Sequence, residues 1–213
     1  MGSEMCIRDR LNKQSLEHFE RPLSNIVFMG MGEPMMNYPN VMKAIAKITS
    51  TEGMGMSPRR ITVSTSGIPK MIIKMADEHP RFKLAVSLHS AIEETRNEIM
   101  PFSTSFPLTD LQDSIQYWFS KTKERVTYEY VVWKDINDSK AEIDALVRFC
   151  KKTPSKVNLI EYNPVGNDQF NQADDDAINQ YVNALEKSHI PVTIRRSRGK
   201  DIDAACGQLA NKT

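Results

Sequence analysis

The sequence predicts an α/β fold in which parallel strands and helices alternate as in a (βα) barrel, and three observations predict it. From residue 25 onward, short apolar runs alternate with amphipathic stretches of helical length, without internal repeats, low-complexity tracts or a Pro/Gly-rich linker, as in βαβ units. Within several runs, alternate residues divide into a large apolar face and a small or polar one, which is how a strand reads when helices cover one side and a barrel interior lies on the other. Polar residues recur at or just past the C-terminal ends of successive runs, where parallel barrels build their sites.

The first strand is expected over residues 25–30, followed by Met31-Gly32-Glu33-Pro34 and a helix from about Asn40, where Val41, Ala44, Ile45 and Ile48 recur at helical spacing. A second strand over 60–64 leads through Ser64-Thr65-Ser66-Gly67 into a helix over 69–78. The third strand, 82–88, has Phe82, Leu84, Val86 and Leu88 on one face and Ala85, Ser87 and His89 on the other. A helix over 108–121 precedes the fourth strand, 126–132, in which Val126, Tyr128, Tyr130 and Val132 oppose Thr127, Glu129 and Val131. After the loop 134–138 come a helix over 140–151, a fifth strand over 156–162 running into Asn163-Pro164, a helix over 172–188 and a last strand over 191–195. The fifth strand does not resolve cleanly, because Leu159, Glu161 and Asn163 share a parity. Residues 1–10 show no apolar period and are expected to be a leader outside the fold, leaving 11–213 as one domain.

A chain of 213 residues with 40% hydrophobic content can bury a core as one domain. No apolar run approaches the roughly 18 residues of a membrane span, and no signal-peptide pattern opens the chain, so the expectation is a cytoplasmic protein without membrane partners. Lys and Arg number 28 against 27 Asp and Glu, so any nucleic-acid binding has to come from local clustering. The three cysteines, Cys6, Cys150 and Cys206, are too far apart for a local metal motif or a dense disulfide framework.

Gly30-Met31-Gly32-Glu33-Pro34 lets a ligand approach the backbone and offers a carboxylate to an ammonium or a ribose, although read from the residues alone a tight βα turn is the stronger explanation. Ser64-Thr65-Ser66-Gly67 suits a carboxylate held by hydroxyls and N–H groups at a helix start, or an ordinary helix cap. His89 suits a base, a ligand contact or a satisfied core histidine. In the tail, Cys206 lies among Ala204, Ala205 and Gly207, so a planar group could approach its sulfur, with Arg195, Arg196, Arg198 and Lys200 just upstream. A thiolate working on an anionic partner fits that setting, as does a buried cysteine beside a solvated basic turn.

Taken in order, Gly-Met-Gly-Glu-Pro, Ser-Thr-Ser-Gly, Ser-Leu-His, Asn163-Pro164 and the tail Arg-Gly-Lys-Asp-Ile-Asp-Ala-Ala-Cys-Gly-Gln-Leu resemble the radical S-adenosylmethionine (SAM) RNA methyltransferases of the RlmN type, which modify carbon 2 of adenine. The likeness runs from about Asn25 to Leu209, and Arg198-Gly199 resembles these enzymes more than the sister family that acts on carbon 8 and confers antibiotic resistance. It implies a partial barrel of radical SAM type holding SAM at the strand ends, with Gly32 and Glu33 at the methionine amino end and Ser64, Ser87, Leu88, His89 and Asn163 as further contacts. It implies Cys206 as the cysteine that accepts a methyl group, adenosines of 23S rRNA and of tRNA as substrates, a reducing electron donor, and Arg195, Arg196, Arg198 and Lys200 as RNA contacts. A monomer is expected.

The family holds a 4Fe–4S cluster through a C-x-x-x-C-x-x-C motif, and this sequence has none. No metal ligand is therefore assigned, and the first barrel strand with its cluster loop is expected to be missing. The chain then reads as a C-terminal part of such an enzyme, inactive alone, with an unpaired barrel edge prone to aggregation. A non-catalytic module that keeps SAM or RNA binding is the competing reading. An unrelated barrel hydrolase or lyase has no metal cluster, P-loop or nucleophile elbow to support it.

Overall fold

Six parallel strands form one sheet whose spatial order is the order of the chain, in a computed structural model that describes residues 4–29, 32–78, 80–163 and 170–196. The strands are β1 (Ile26–Phe28), β2 (Ile61–Thr65), β3 (Lys83–Ser87), β4 (Val126–Val131), β5 (Ser155–Ile160) and β6 (Val192–Arg195). The helices are α1 (Glu4–Phe19), α2 (Tyr38–Thr49), α3 (Pro69–Asp77), α4 (Glu93–Ile99), α5 (Leu108–Thr122), α6 (Lys140–Lys151) and α7 (Asp175–Lys187). Every expected strand and helix from residue 25 on is present, within a few residues at its ends.

The parity expected of the strands is the parity observed. Ile61, Val63, Leu84, Val86, Leu88, Val126, Tyr128 and Tyr130 are buried in a single core on the helix side, where the Tyr128 and Phe149 rings meet edge to face with centroids 5.4 Å apart. Leu111, Ile115 and Trp118 of α5 and Ile72 and Met75 of α3 fill the same core. Local chemistry sets the helix starts. Pro69 opens α3, where a missing N–H costs nothing, and Ser139 caps α6 by accepting a hydrogen bond from the Glu142 N–H through Oγ.

Helix α1 covers Glu4–Phe19, and the Asn12 Oδ1 accepts a hydrogen bond from the Leu23 N–H at 3.0 Å, tying its later turns to the segment before β1. Two features differ from expectation. Helix α4 was not foreseen, because its residues carry no apolar period; it is organised around a buried arginine, Arg96. Strand β5 resolves because it ends at Ile160: Val157 and Leu159 face the core, Asn158 faces inward, and beyond Ile160 the alternation lapses.

Among the described residues β1 and β6 each pair on one side only, so the barrel is open between them. The sheet nevertheless curls far enough that the Arg195 Nη1 lies 3.7 Å from the Met29 Sδ. The β1 edge is three residues long, with Val27 49% exposed, and a short edge offers little template for pairing with another chain.

Candidate functional site

At the C-terminal ends of the strands the inward faces enclose a cavity of about 400 Å³. Gly32 and Glu33 after β1, Ser64 on β2, Ser87 and His89 at the end of β3, and Asn163 after β5 all line it, although they come from four separate strand ends. Met29, Met100, Val131, Trp133, Ile160 and Tyr162 supply apolar wall. Mostly apolar walls with a few converging polar groups are the usual make-up of a small-molecule site.

Gly32 has φ +75°, and nothing lies within 4 Å of where a Cβ would project, so the turn needs glycine and leaves room above it. The chain then delivers Glu33, whose Oε1 accepts from the Met35 N–H at 2.9 Å. Its Oε2 accepts from both the Ser66 N–H at 2.7 Å and the Ser66 hydroxyl at 2.6 Å. The Ser-Thr-Ser-Gly segment does bind a carboxylate, but the protein's own. A carboxylate offers about four acceptor positions, so roughly one remains on Glu33 for a ligand.

Other polar groups in the cavity are open. The Ser64 and Ser87 hydroxyls make no hydrogen bond among the described residues, and the buried Asn163 Oδ1 is likewise unpartnered while its Nδ2 donates weakly to the Glu161 carbonyl at 3.4 Å. Buried polar atoms are normally satisfied, so open ones converging on a cavity point to a ligand or to water.

His89 sits in the left-handed region at φ +57°, held by Asn137, whose Nδ2 donates to the carbonyls of His89 at 2.6 Å and Val131 at 2.9 Å. Asn137 Oδ1 accepts from the Trp133 N–H at 2.7 Å, so this one fully buried amide locks the β4 end to the β3 end. His89 Nδ1 accepts from the Val131 N–H at 3.1 Å, and its ring stands edge-on to Trp133. Burial, reinforced by the nearby Arg96 cation, pushes its pKa down to about 4. His89 is therefore a neutral imidazole with the proton on Nε2, a hydrogen-bond donor toward the cavity rather than a base.

Leu88 does not line the cavity: it is fully buried on the opposite face, and only its backbone takes part, donating to the Glu129 carbonyl and accepting from Arg96 Nε. Arg195 and Arg196 are exposed at the tip of β6, close to the cavity rim. Cys206, Arg198 and Lys200 lie outside the described residues.

Three residues of the site were not singled out from the sequence, Arg96, Glu129 and Asn137. The inward parity of Glu129 was the available signal, since a carboxylate alternating with core residues on a buried strand demands a reason.

Among the described residues, no group of three or more His, Cys, Asp and Glu side chains is placed to hold a metal. Cys150, the described free cysteine, is buried at the far end of the barrel, where burial pushes its pKa up to about 12. An iron–sulfur cluster does not fit these residues. No helix among them is long and apolar enough to cross a membrane.

No family model matches the chain. It is 66% identical over 202 residues to the probable dual-specificity RNA methyltransferase RlmN of Flavobacterium psychrophilum, covering 95% of this chain and 58% of that protein. It is 64% identical over 203 residues to the protein of the same name from Christiangramia forsetii, with the same coverage of both. A crystal structure of a radical SAM methyltransferase from Sphaerobacter thermophilus superposes with a TM-score of 0.89 at 40% identity, over 92% of this chain and 57% of that one. A domain of a pyruvate-formate lyase-activating enzyme from Bacteroides vulgatus, at a TM-score of 0.61 and 14% identity, shares the fold alone. The chain thus spans a little over half the length of the relatives it matches, and over that span it is similar to proteins named RlmN dual-specificity RNA methyltransferases and to a radical SAM methyltransferase of the same fold.

Proposed function

We propose that the cavity binds S-adenosylmethionine and that the chain serves an enzyme that methylates carbon 2 of adenine in 23S rRNA and tRNA. The observation that carries this reading is the convergence on one cavity of Gly32, Glu33, Ser64, Ser87, His89 and Asn163, residues of four motifs far apart in the sequence. Their chemistry suits the ligand. The remaining acceptor position on Glu33 can take an ammonium, the Ser64 and Ser87 hydroxyls and His89 Nε2–H can bond oxygens, and Val131, Ile160 and Trp133 offer apolar surface to a purine. When bound, SAM would supply a methyl group and, after reductive cleavage, a radical able to act at a ring carbon that is not nucleophilic.

Cys206 is the proposed methyl acceptor, and Arg195, Arg196, Arg198 and Lys200 the proposed contacts to RNA phosphates, which would make affinity strongly salt-dependent. Cluster ligands have to come from outside these 213 residues, since the C-x-x-x-C-x-x-C motif is not among them. The chain by itself is then inactive, and the full enzyme is a cytoplasmic monomer that depends on an outside electron donor. The same absence favours a second reading, a module that binds SAM or RNA without chemistry.

Titration calorimetry of the chain with SAM tests the first step, and no binding at millimolar ligand would overturn it. Transfer of label from methyl-labelled SAM to Cys206, with and without an added cluster-bearing N-terminal half from a relative, separates enzyme from binding module. Label on Cys206 only in the complemented sample is the expected result.

A further inference from the structure

On the floor of the same cavity lies a carboxylate that no motif covers. Glu129, on β4, is 4% exposed and lines the cavity between its register neighbours, Ser87 on β3 and Asn158 on β5. Its Oε1 accepts from Asn158 Nδ2 at 2.9 Å, and Asn158 Oδ1 in turn accepts from the Thr193 hydroxyl at 2.5 Å. A chain of hydrogen bonds across three strands thus fixes the orientation of the carboxylate. Its Oε2 is buried and has no partner among the described residues.

An oriented, buried carboxylate with one open oxygen is costly unless something completes it. Burial pushes its pKa up, opposed by the Asn158 hydrogen bond and by the more distant charges of Arg195 and Lys156. A partner that serves the open oxygen in either protonation state must both donate and accept, and a hydroxyl does so whereas an amino group does not. If the cavity holds SAM with its ammonium at Glu33, the nucleoside half is the part left to reach the floor beneath β3 to β5, and its hydroxyls are those of the ribose.

We propose that Glu129 is a ligand-binding residue whose Oε2 hydrogen-bonds a ribose hydroxyl of the bound adenosyl ligand. This rests on the SAM reading above and adds to it a contact on a strand that the motifs leave out. It also gives the Thr193–Asn158–Glu129 chain a purpose, because a rigid acceptor loses less entropy on binding than a mobile one.

The test is a cycle of titrations on the chain, using SAM and analogues lacking the 2′-hydroxyl, the 3′-hydroxyl or the 6-amino group, with wild type and Glu129→Ala. Glu129→Ala is expected to weaken SAM binding at least tenfold, about the value of one charge-assisted hydrogen bond. One deoxyribose analogue should lose a similar factor against wild type and nothing further against the variant, a non-additivity that general loosening of the fold would not produce. Equal SAM affinity in wild type and variant, additive losses for both deoxy analogues, or coupling to the 6-amino group instead, each overturns the assignment while leaving the SAM reading intact. Absence of SAM binding by wild type overturns both. Glu129→Gln keeps the volume and the Asn158 contact and carries the cycle if the alanine variant does not fold. There the penalty for the missing hydroxyl should differ at least threefold from that of wild type, and an unchanged penalty refutes the contact.

Discussion

Arg96 Nη2 donates to the Ser66 carbonyl at 2.7 Å while Nε of the same guanidinium donates to the Leu88 carbonyl at 3.2 Å, so one fully buried side chain from α4 ties the end of β2 to the end of β3. Both strand ends carry cavity residues, and the fork geometry of arginine is what allows it to hold two carbonyls at once. Burial pushes its pKa down only to about 10, so it stays charged at neutral pH. Arg96→Met should cost roughly 2–4 kcal/mol, measured by denaturant unfolding, because the Ser66 carbonyl loses the guanidinium and the Leu88 carbonyl keeps only the Ser90 N–H. Arg96→Lys should recover less than half of that, since an ammonium cannot span both acceptors. Equal stability of the lysine variant and wild type would mean that the charge matters and the fork does not.

Below neutrality His89 should weaken the fold. Its folded pKa of about 4 lies below the unfolded value of about 6.5, so between those values the unfolded chain binds a proton that the folded chain refuses. The contribution is fully present above pH 6.5 and is lost as pH falls toward 4, at up to about 1.4 kcal/mol per pH unit. Unfolding free energies of wild type and His89→Asn across pH 4 to 7 check this. Parallel curves for the two proteins would remove His89 as the cause.

Gly67 packs where nothing larger fits. It has φ +99°, and a Cβ there would lie 2.9 Å from Leu111 Cδ1 and 3.6 Å from Arg96 Nη2. Gly67→Ala should lower stability by roughly 1–3 kcal/mol and displace Arg96 from Ser66. Gly55→Ala is the control: φ is +56°, nothing lies within 4 Å of its Cβ position, and the loss should stay near 1 kcal/mol. Similar losses in thermal unfolding for both variants would show that backbone strain, not the Leu111 contact, sets the cost at Gly67.

Cys150 should resist alkylation in the native protein. It is buried, its thiol is pushed up to about 12, and only the thiolate reacts. Mass spectrometry after brief iodoacetamide treatment at pH 8 should find Cys150 unmodified until denaturant is added. Native labelling at the rate of a free thiol would place it outside the core.

The elements after residue 25 were legible because their strands are buried on one face and lined with small or polar groups on the other, so period-two alternation survives in the sequence. Ser87 and His89 stood out against Leu84, Val86 and Leu88 for that reason. Glu33, Ser64 and Asn163 were legible by motif. What escaped was organised by contacts distant in sequence: Arg96 finds its acceptors at Ser66 and Leu88, and Asn137 finds His89, 48 residues away. A short polar helix such as α4 carries no periodic signal because its single buried side chain is held by hydrogen bonds rather than by apolar packing. The Ser-Thr-Ser-Gly segment suited either a carboxylate or a helix cap, and spacing alone does not reveal that a carboxylate of the protein itself, Glu33, reaches Ser66.

Each strand of the sheet takes its hydrogen-bond partners from the strands that precede and follow it in the chain. Such a sheet can be laid down vectorially, one βα unit docking on the last, without waiting for a distant segment to thread between strands already paired. The order of synthesis is then also an order of assembly, and a parallel strand joining at β1 would extend the edge without disturbing any pairing from β2 to β6.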